Sequence, residues 1–438
     1  MGDGRSTEAD CQGPHGLAGP ASRLEKRVGS STRLVLAQEG SHGSTNKYRS
    51  RSSGGVVEEQ TRNPAANSRS RDTMNTSSDE RFTVLRSIGE FIYEHELSVL
   101  LQKKLDPICY VWFEPSLTMD IEQGIMKTIY INKMLEAGCT VKILMADWFL
   151  QQHPRIGTDL NKIRAIGQYN IEMWKAAGMH LERVELIWLS DELDHHAVDY
   201  WTLAMDVSRK YTMERIASYC EYVKPYGPKI LPAAEIFYPC MLVAVVLCQK
   251  LKVDIWLFSK DQRDFIMLAR DYCEDINMGR KPTFLLHNIL PSLLEDPEFQ
   301  NEMDPGQTIF MQDEEDDLDF KMWRMFCPPK VAVCNPCLEY IRSLVFPWFG
   351  KFEVVQKEGN GSNKTFASMD ELVVDYESGH VDPIDVKLAF VKAINSILEP
   401  VAEYFRRNTN AQALITACKI PDQVTVDVWK IIMQNKEI

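Results

Sequence analysis

The sequence predicts an α/β fold in which a buried parallel sheet is followed by a mainly helical second domain. Three observations carry this prediction. Short β-branched and aromatic runs alternate with long stretches of helical period, the pattern of βαβ units. The runs are almost wholly apolar, as strands covered on both faces must be. The last third loses this alternation and reads as helix after helix.

The first strand is Pro107-Ile-Cys-Tyr-Val-Trp-Phe113. A helix-period stretch follows and ends at Glu136-Ala-Gly138, where glycine suits the left-handed cap position. Cys139-Thr-Val-Lys-Ile-Leu-Met-Ala146 is the second strand. A helix from about Asp159 to Ala177 stops at another glycine, Gly178. Val184-Glu-Leu-Ile-Trp-Leu189 and Val253-Asp-Ile-Trp-Leu-Phe258 are the third and fourth strands. Open parallel sheets bind ligands at the carboxyl ends of their strands. Chemistry is therefore expected just after Phe113, Ala146 and Phe258.

The acidic run Asp313-Glu-Glu-Asp-Asp-Leu-Asp319 reads as a solvated helix start, where negative charge complements the helix dipole, rather than as a metal site. Asp382-Pro383 opens a further helix as N-cap and first helical residue. Val386, Phe390, Ile394, Ile397, Val401 and Phe405 share one of its faces.

The 438 residues carry 49 Lys+Arg and 62 Asp+Glu, a net charge of -13. The 45% hydrophobic and 25% charged content excludes a collagen, a mucin or a wholly disordered chain. The acidic balance argues against a dedicated polyanion binder, though not against a local basic face. Residues 1–74 differ from the rest: 11 Lys+Arg against 8 Asp+Glu, with runs such as Ser50-Arg-Ser-Ser-Gly-Gly. This segment has too few apolar residues to offset the entropy of ordering and is expected to be a disordered leader. A targeting peptide is the alternative, disfavoured by its acidic residues and lack of an apolar core. The remaining boundaries are expected at 75–308 for the α/β domain, 309–425 for the helical domain and 426–438 for a tail.

The longest apolar run, Met241 to Cys248, is far short of the ~20 residues a membrane-spanning helix needs, so no membrane association is expected. Eleven scattered cysteines suit reduced thiols. Cys334-Asn-Pro-Cys337 is a lone pair with Cys327 upstream. Structural zinc usually takes two such pairs, so no metal is expected.

Several segments together identify a family. Phe113-Glu-Pro-Ser116, Ala146-Asp-Trp-Phe149 and Asp261-Gln-Arg263 follow directly on strands. Ala233-Ala-Glu-Ile-Phe-Tyr-Pro-Cys-Met241, Lys175-Ala-Ala-Gly-Met179, Cys327-Pro-Pro329 and Asn335-Pro-Cys-Leu-Glu-Tyr340 complete the set. From about residue 80 to 418 the chain resembles the eukaryotic cytosolic tyrosyl-tRNA synthetases, especially the plant form. The resemblance implies a Rossmann-like class I synthetase catalytic domain followed by a helical anticodon-binding domain. It also implies ATP with Mg2+, tyrosine and tRNA as ligands, a homodimer or a heterodimer with an active synthetase, and a cytoplasmic location.

The resemblance also implies site residues. Tyr110 is where the family contacts the substrate phenol, and Asp147 where it holds the ammonium. Tyr238 lies against the amino acid, and Gln262 lines the pocket. Other positions depart from the pattern. Leu242 stands in place of a Gln, and Val245 in place of the Asp that receives the substrate hydroxyl. A phenol facing Val would go unpaired, at a cost of about 1–3 kcal/mol. Trp112 replaces a Gly beside the nucleotide path.

The HIGH-type element reads Asp120, Ile121, Glu122, Gln123, with Asp where a His serves the phosphates. The KMSKS-type loop reads Phe299, Gln300, Asn301, Glu302, Met303, with Glu302 in place of the second Lys. Losing one preorganised donor alone typically costs about 10²–10³ in rate. Asn363-Lys-Thr-Phe366 survives in the anticodon loop, but Asn360 holds the position of a base-stacking aromatic. Either anticodon affinity is weakened or the loop has drifted while its domain still packs. Three readings stay open at this point: a working tyrosine–tRNA ligase with unusual motifs, a catalytically dead paralogue that pairs with subunits or tRNA, and a relic without a retained role.

Overall fold

The structure, a computed structural model, describes residues 77–151, 158–223, 233–294, 304–355 and 363–418. All of them belong to one compact unit that begins at Thr73. The expected disordered leader 1–74, the tail, Asn360 and the segment Phe299–Met303 lie outside the described residues.

The chain opens with α1 (Ser78–Arg86), β1 (Gly89–Phe91) and α2 (Glu94–Lys103). It continues through β2 (Ile108–Phe113), α3 (Lys127–Glu136), β3 (Thr140–Met145), α4 (Asp147–Leu150), α5 (Leu160–Ala176) and β4 (Glu185–Trp188). Next come α6 (Leu189–Lys210), α7 (Met213–Val223), α8 (Ala233–Val246), β5 (Ile255–Ser259), α9 (Arg263–Asp275) and β6 (Thr283–His287). The six strands form one sheet in the order β1-β6-β5-β2-β3-β4. β1 pairs antiparallel with β6, and every other pairing is parallel. The four expected strands are therefore present, and the class I synthetase-type α/β fold is the one observed. Gly138 (φ 78°) and Gly178 (φ 81°) close their helices in the left-handed conformation.

The last third comprises α10 (Glu315–Arg324), α11 (Pro336–Tyr340), α12 (Phe346–Phe349), a ribbon of β7 (Phe352–Val354) and β8 (Lys364–Phe366), α13 (Met369–Ser378), α14 (Pro383–Arg407) and α15 (Thr409–Cys418). The acidic run does open a helix, with Glu314 as N-cap of α10. Asp382 caps α14 through its side chain, which accepts from Ile384 N at 2.8 Å. All six residues of the expected apolar face of α14 are buried.

Strand alternation splits the core in two. Cys109, Val111 and Phe113 of β2 face one layer, which runs on through α5 into α14. Tyr110 and Trp112 face the other, formed with α6, α8 and α9. The α/β part and the helical last third meet where the Tyr169 ring of α5 packs on Phe405 of α14, 5.6 Å between centroids. The expectation of reduced thiols is corrected at one position, since Cys334 is disulfide-bonded. No helix among the described residues is long and apolar enough to cross a membrane.

Candidate functional site

The strand order reverses between β2 and β5. From β2 the chain steps outward through β3 and β4, then returns to β5 on the opposite side of β2. The carboxyl ends of β2 and β5 border the crevice that such a reversal creates. Glu114 follows β2, Asp147 follows β3, and Asp261 and Gln262 follow β5.

Trp112, one residue from the end of β2, occupies the wall of this crevice. It is 4% exposed. Its indole stacks on Phe258 at 5.8 Å and meets the edge of Phe149 at 5.2 Å. Its Nε1 donates to Glu114 Oε1 at 3.1 Å. The Tyr238 hydroxyl donates to the same oxygen at 2.6 Å. Tyr238 packs on Phe149 at 5.0 Å, which closes a ring of aromatic groups around one carboxyl. Burial pushes the Glu114 pKa up, partly opposed by these two donors. Both donors converge on Oε1, so that oxygen is satisfied within the aromatic ring of groups.

Of the residues expected at the site, Asp147 and Gln262 stand just past the carboxyl ends of β3 and β5, Tyr238 of α8 reaches Glu114 after β2, and Tyr110 lies within β2. Asp147 is fully buried. It accepts from Ser190 N at 2.9 Å, Ser190 Oγ at 2.6 Å and Trp148 N at 2.9 Å, with Arg164 Nε at 3.6 Å. It thereby ties the start of α6 to the end of β3. Gln262 turns its carbonyl back to Ser259, accepting from its backbone N at 3.4 Å and its hydroxyl at 3.3 Å. Tyr110 packs on Trp256 at 5.2 Å, and burial followed by the charge of Glu192 raises its hydroxyl pKa.

The substituted positions lie deeper on the same face. Leu242 and Val245 are both 1% exposed. Val245 borders a small recess with Glu192, His196, Tyr200 and Cys248. The Tyr200 hydroxyl there is buried with no hydrogen-bond partner among the described residues. Val245 thus presents an apolar wall beside a hydroxyl that, among the described residues, has nothing to donate to.

The HIGH-type element is pinned from both sides. Ile121 N donates to Ile309 O at 2.8 Å, and Met311 N to Met119 O at 2.9 Å. Gly124 follows because a Cβ there would lie 2.1 Å from Met311 Sδ. Residues 122–126 then form a π-helical turn that leads into α3. Asp120 Oδ1 accepts from Gln123 N at 2.7 Å, and burial raises its pKa. Glu122 accepts from Leu290 N at 2.8 Å. Burial, with a contribution from Asp120, raises its pKa to about 7.

Lys127 sits behind this pair, 7% exposed, with Nζ 3.5 Å from Trp112 O. Burial lowers its pKa, while Glu122, Asp120 and Asp261 act against that. His287, 3.9 Å from Glu122, is held neutral by burial and by Lys127, with its pKa down to about 3. Their contact is therefore not an ion pair. Among the described residues no group of three His, Cys, Asp or Glu side chains could hold a metal ion.

Glu114, Lys127 and His287 were not singled out from the sequence. Glu114 had a signal, because it stands immediately after a strand at the expected ligand edge. Lys127 and His287 had none, because only the fold brings α3 and β6 to the same point.

The family model for tRNA synthetases class I (W and Y) matches residues 102–399. The chain is 44% identical over 347 residues to the cytoplasmic tyrosine–tRNA ligase 1 of Arabidopsis thaliana, covering 79% of this chain and 90% of that protein. It is 44% identical to tyrosine–tRNA ligase 2 of the same organism but spans only 46% of that longer protein. The tyrosyl-tRNA synthetase of Leishmania major in complex with tyrosinol superposes with a TM-score of 0.71 at 35% identity, over 78% of this chain and 52% of that one. The motifs, the sheet order and these likenesses agree: the chain belongs to the class I tRNA synthetases, and within them to the tyrosyl-tRNA synthetase family.

Proposed function

We propose that this chain is a tyrosyl-tRNA synthetase paralogue whose own adenylation site is closed, and that it acts by pairing with another synthetase subunit or with tRNA. The family reaction activates tyrosine with ATP and Mg2+ and passes it to tRNA. The observation that carries the proposal is Trp112. Its indole is stacked between Phe149 and Phe258 and hydrogen-bonded to Glu114, so it fills crevice volume at the strand reversal as part of the core.

The charges around it point the same way. The resemblance puts Asp120 and Glu122 at the phosphate end, where in their ionised form they repel phosphates by a few kcal/mol each at an effective dielectric near ~20, and in their neutral form they supply no positive charge. Lys127 is a cation in this region, but it is buried behind the two carboxyls. Val245 offers no acceptor for a phenol. Such sites otherwise discriminate through a hydrogen bond by about 10⁵. These residues do not fit a Mg·ATP complex, so no catalytic step is derived through one.

Pairing is supported by α6. Val198, Trp201 and Met205 form a stripe at steps of three and four, 80%, 38% and 50% exposed. Contiguous exposed apolar groups of this kind mark association surfaces. The domain boundary near residue 308, tRNA binding weakened by Asn360 at the stacking position beside Asn363–Phe366, and a cytoplasmic location belong to the same proposal. The location rests on the names of the Arabidopsis relatives.

Tyrosine-dependent ATP–pyrophosphate exchange by the purified chain tests the closed site. No exchange is expected, and a rate within about tenfold of an active family member would overturn the proposal. Co-purification with an active synthetase, or a tRNA mobility shift at low salt, tests the partner role. The partner role fails if neither is seen.

A further inference from the structure

The exposed stripe of α6, Val198, Trp201 and Met205, lies within reach of another segment of the same chain. The described residues end at Cys418, the last residue of α15. The sequence continues from Lys419 to Ile438. Within this tail Val424, Val428, Ile431 and Ile432 recur at helical spacing, with Trp429 and Met433 beside them. Asp427, Lys430, Gln434 and Glu437 recur at the same period on the opposite side. A one-sided apolar pattern as short as this gains its stability from the surface it packs on, because an isolated helix of about 10 residues is marginal in water.

The route from Cys418 to α6 is short. The end of α14 is fixed on α5, where the Tyr404 hydroxyl donates to Glu172 and Phe405 meets Tyr169. α15 then packs along α5. Its last residue, Cys418, is buried and feels the charge of Lys162 in the first turn of α5. Further along α5, Arg164 donates to Ser190 Oγ at 2.8 Å and pairs with Asp191, both in the first turn of α6. From Ser190 to Val198 is about 12 Å of helix. Lys419 to Gln423 can span up to ~17 Å when extended. The apolar pattern that starts at Val424 can therefore begin where the stripe begins. Coiled as a helix, 424–433 would cover about 15 Å, against about 11 Å from Val198 to Met205. Ile384 and Leu388 are also exposed, but they stand near the start of α14, roughly 30 Å of helix from its junction with α15.

We propose that residues 424–433 dock on the Val198, Trp201 and Met205 stripe of α6 in the same chain and cover the pairing surface. The proposal rests on the reading of α6 as that surface and adds what regulates it. Trp201 supplies the aromatic anchor, and the Val and Ile residues of the tail supply the aliphatic groups that pack on it. The tether holds this segment beside α6 at an effective concentration of about 1 mM. A docked tail and a docked partner exclude each other. Apparent pairing is therefore weakened by the fraction of chains that are covered. The chain pairs only with a partner that outcompetes its own tail.

The test is photo-crosslinking in the full chain, with a benzophenone amino acid in place of Thr202, an exposed neighbour of Trp201. Mixing isotope-labelled with unlabelled copies separates links within one chain from links between two. Peptide mapping is expected to join position 202 to residues 424–433 of the same chain. Val428→Asp combined with Ile432→Asp should abolish that link. Without the probe, the same double variant should speed hydrogen exchange of the amides of 198–205 at least ~3-fold. Its apparent dissociation constant for an active tyrosyl-tRNA synthetase subunit should fall at least ~3-fold. A link to another segment, a link only between copies, or no link would overturn the proposal. So would α6 exchange that the double variant leaves unchanged, or equally tight pairing by parent and variant. A link within the chain with no pairing by either protein would leave the docked tail standing and sink the pairing reading. Pairing through α6 without the link would do the reverse.

Discussion

At the residue scale, the positions that the sequence marks as departing from the family pattern are held by packing. Trp112 is in contact with both Phe149 and Phe258. Replacing it by Gly should therefore open a cavity and cost about 3–5 kcal/mol of stability, read from denaturant unfolding. Pyrophosphate exchange should stay absent, because Asp120 and Glu122 remain. Val245→Asp alone should not restore exchange either. Tyr200→Phe removes a buried hydroxyl that has no partner, so the variant should be as stable as the parent or more so. A loss above ~1 kcal/mol would show that the hydroxyl is in fact paired.

Glu122 gives a pH-dependent prediction at the same scale. Its folded pKa of about 7 lies above the ordinary glutamic acid value of 4.5. The folded state therefore binds more protons than the unfolded state over that interval, and stability falls as pH rises through it. Glu122→Gln removes this dependence. The stability difference, variant minus parent, should grow between about pH 4.5 and pH 7 and then level off. His287 slopes the other way below pH 6.5, because its pKa is lowered to about 3, and subtracting the two curves removes its contribution. A flat difference curve from chemical denaturation at a series of pH values would mean that Glu122 is ionised in the fold.

At the element scale, the helices are set by local signals that can be tested singly. Asp382 satisfies the start of α14, a helix of 25 residues whose buried face packs the helical last third against α5. Asp382→Ala should cost about 1 kcal/mol, with the fold retained by circular dichroism. α6 carries the opposite kind of feature, an apolar stripe of Val198, Trp201 and Met205 left exposed among the described residues. Trp201→Asp combined with Met205→Asp should abolish subunit pairing in analytical ultracentrifugation. Far-UV dichroism should not change. Pairing that survives this double change would place the interface elsewhere.

At the scale of the whole molecule, legibility followed the length of each signal. β2, β3, β4 and β5 were readable because each is a run of apolar residues bounded by helical period. β1 and the β7–β8 ribbon have three residues per strand and carry no periodicity. β6 is fully buried, but its Phe-Leu-Leu core is too short to separate from a connecting segment. The long helices α5 and α14 were legible with their caps, Asp159 and Asp382. In the candidate site, the sequence named Tyr110, Trp112, Asp147, Tyr238 and Gln262, and the fold places Asp147 and Gln262 just past strand ends and joins Trp112 and Tyr238 through Glu114. Their partners did not follow. Glu114 between Trp112 and Tyr238, and Lys127 and His287 around Glu122, depend on contacts between elements far apart in sequence, which no local pattern encodes.

The account rests on a crevice at the β2–β5 reversal that is filled by an indole and faced with carboxyls. Equilibrium binding of Mg·ATP to the purified chain, followed by titration calorimetry with and without tyrosine, tests this most directly. The predicted result is no saturable heat at nucleotide concentrations up to about 1 mM, weaker than ~4 kcal/mol of binding free energy. Saturable one-to-one binding below that concentration, lost on competition with an adenylate analogue, would contradict it.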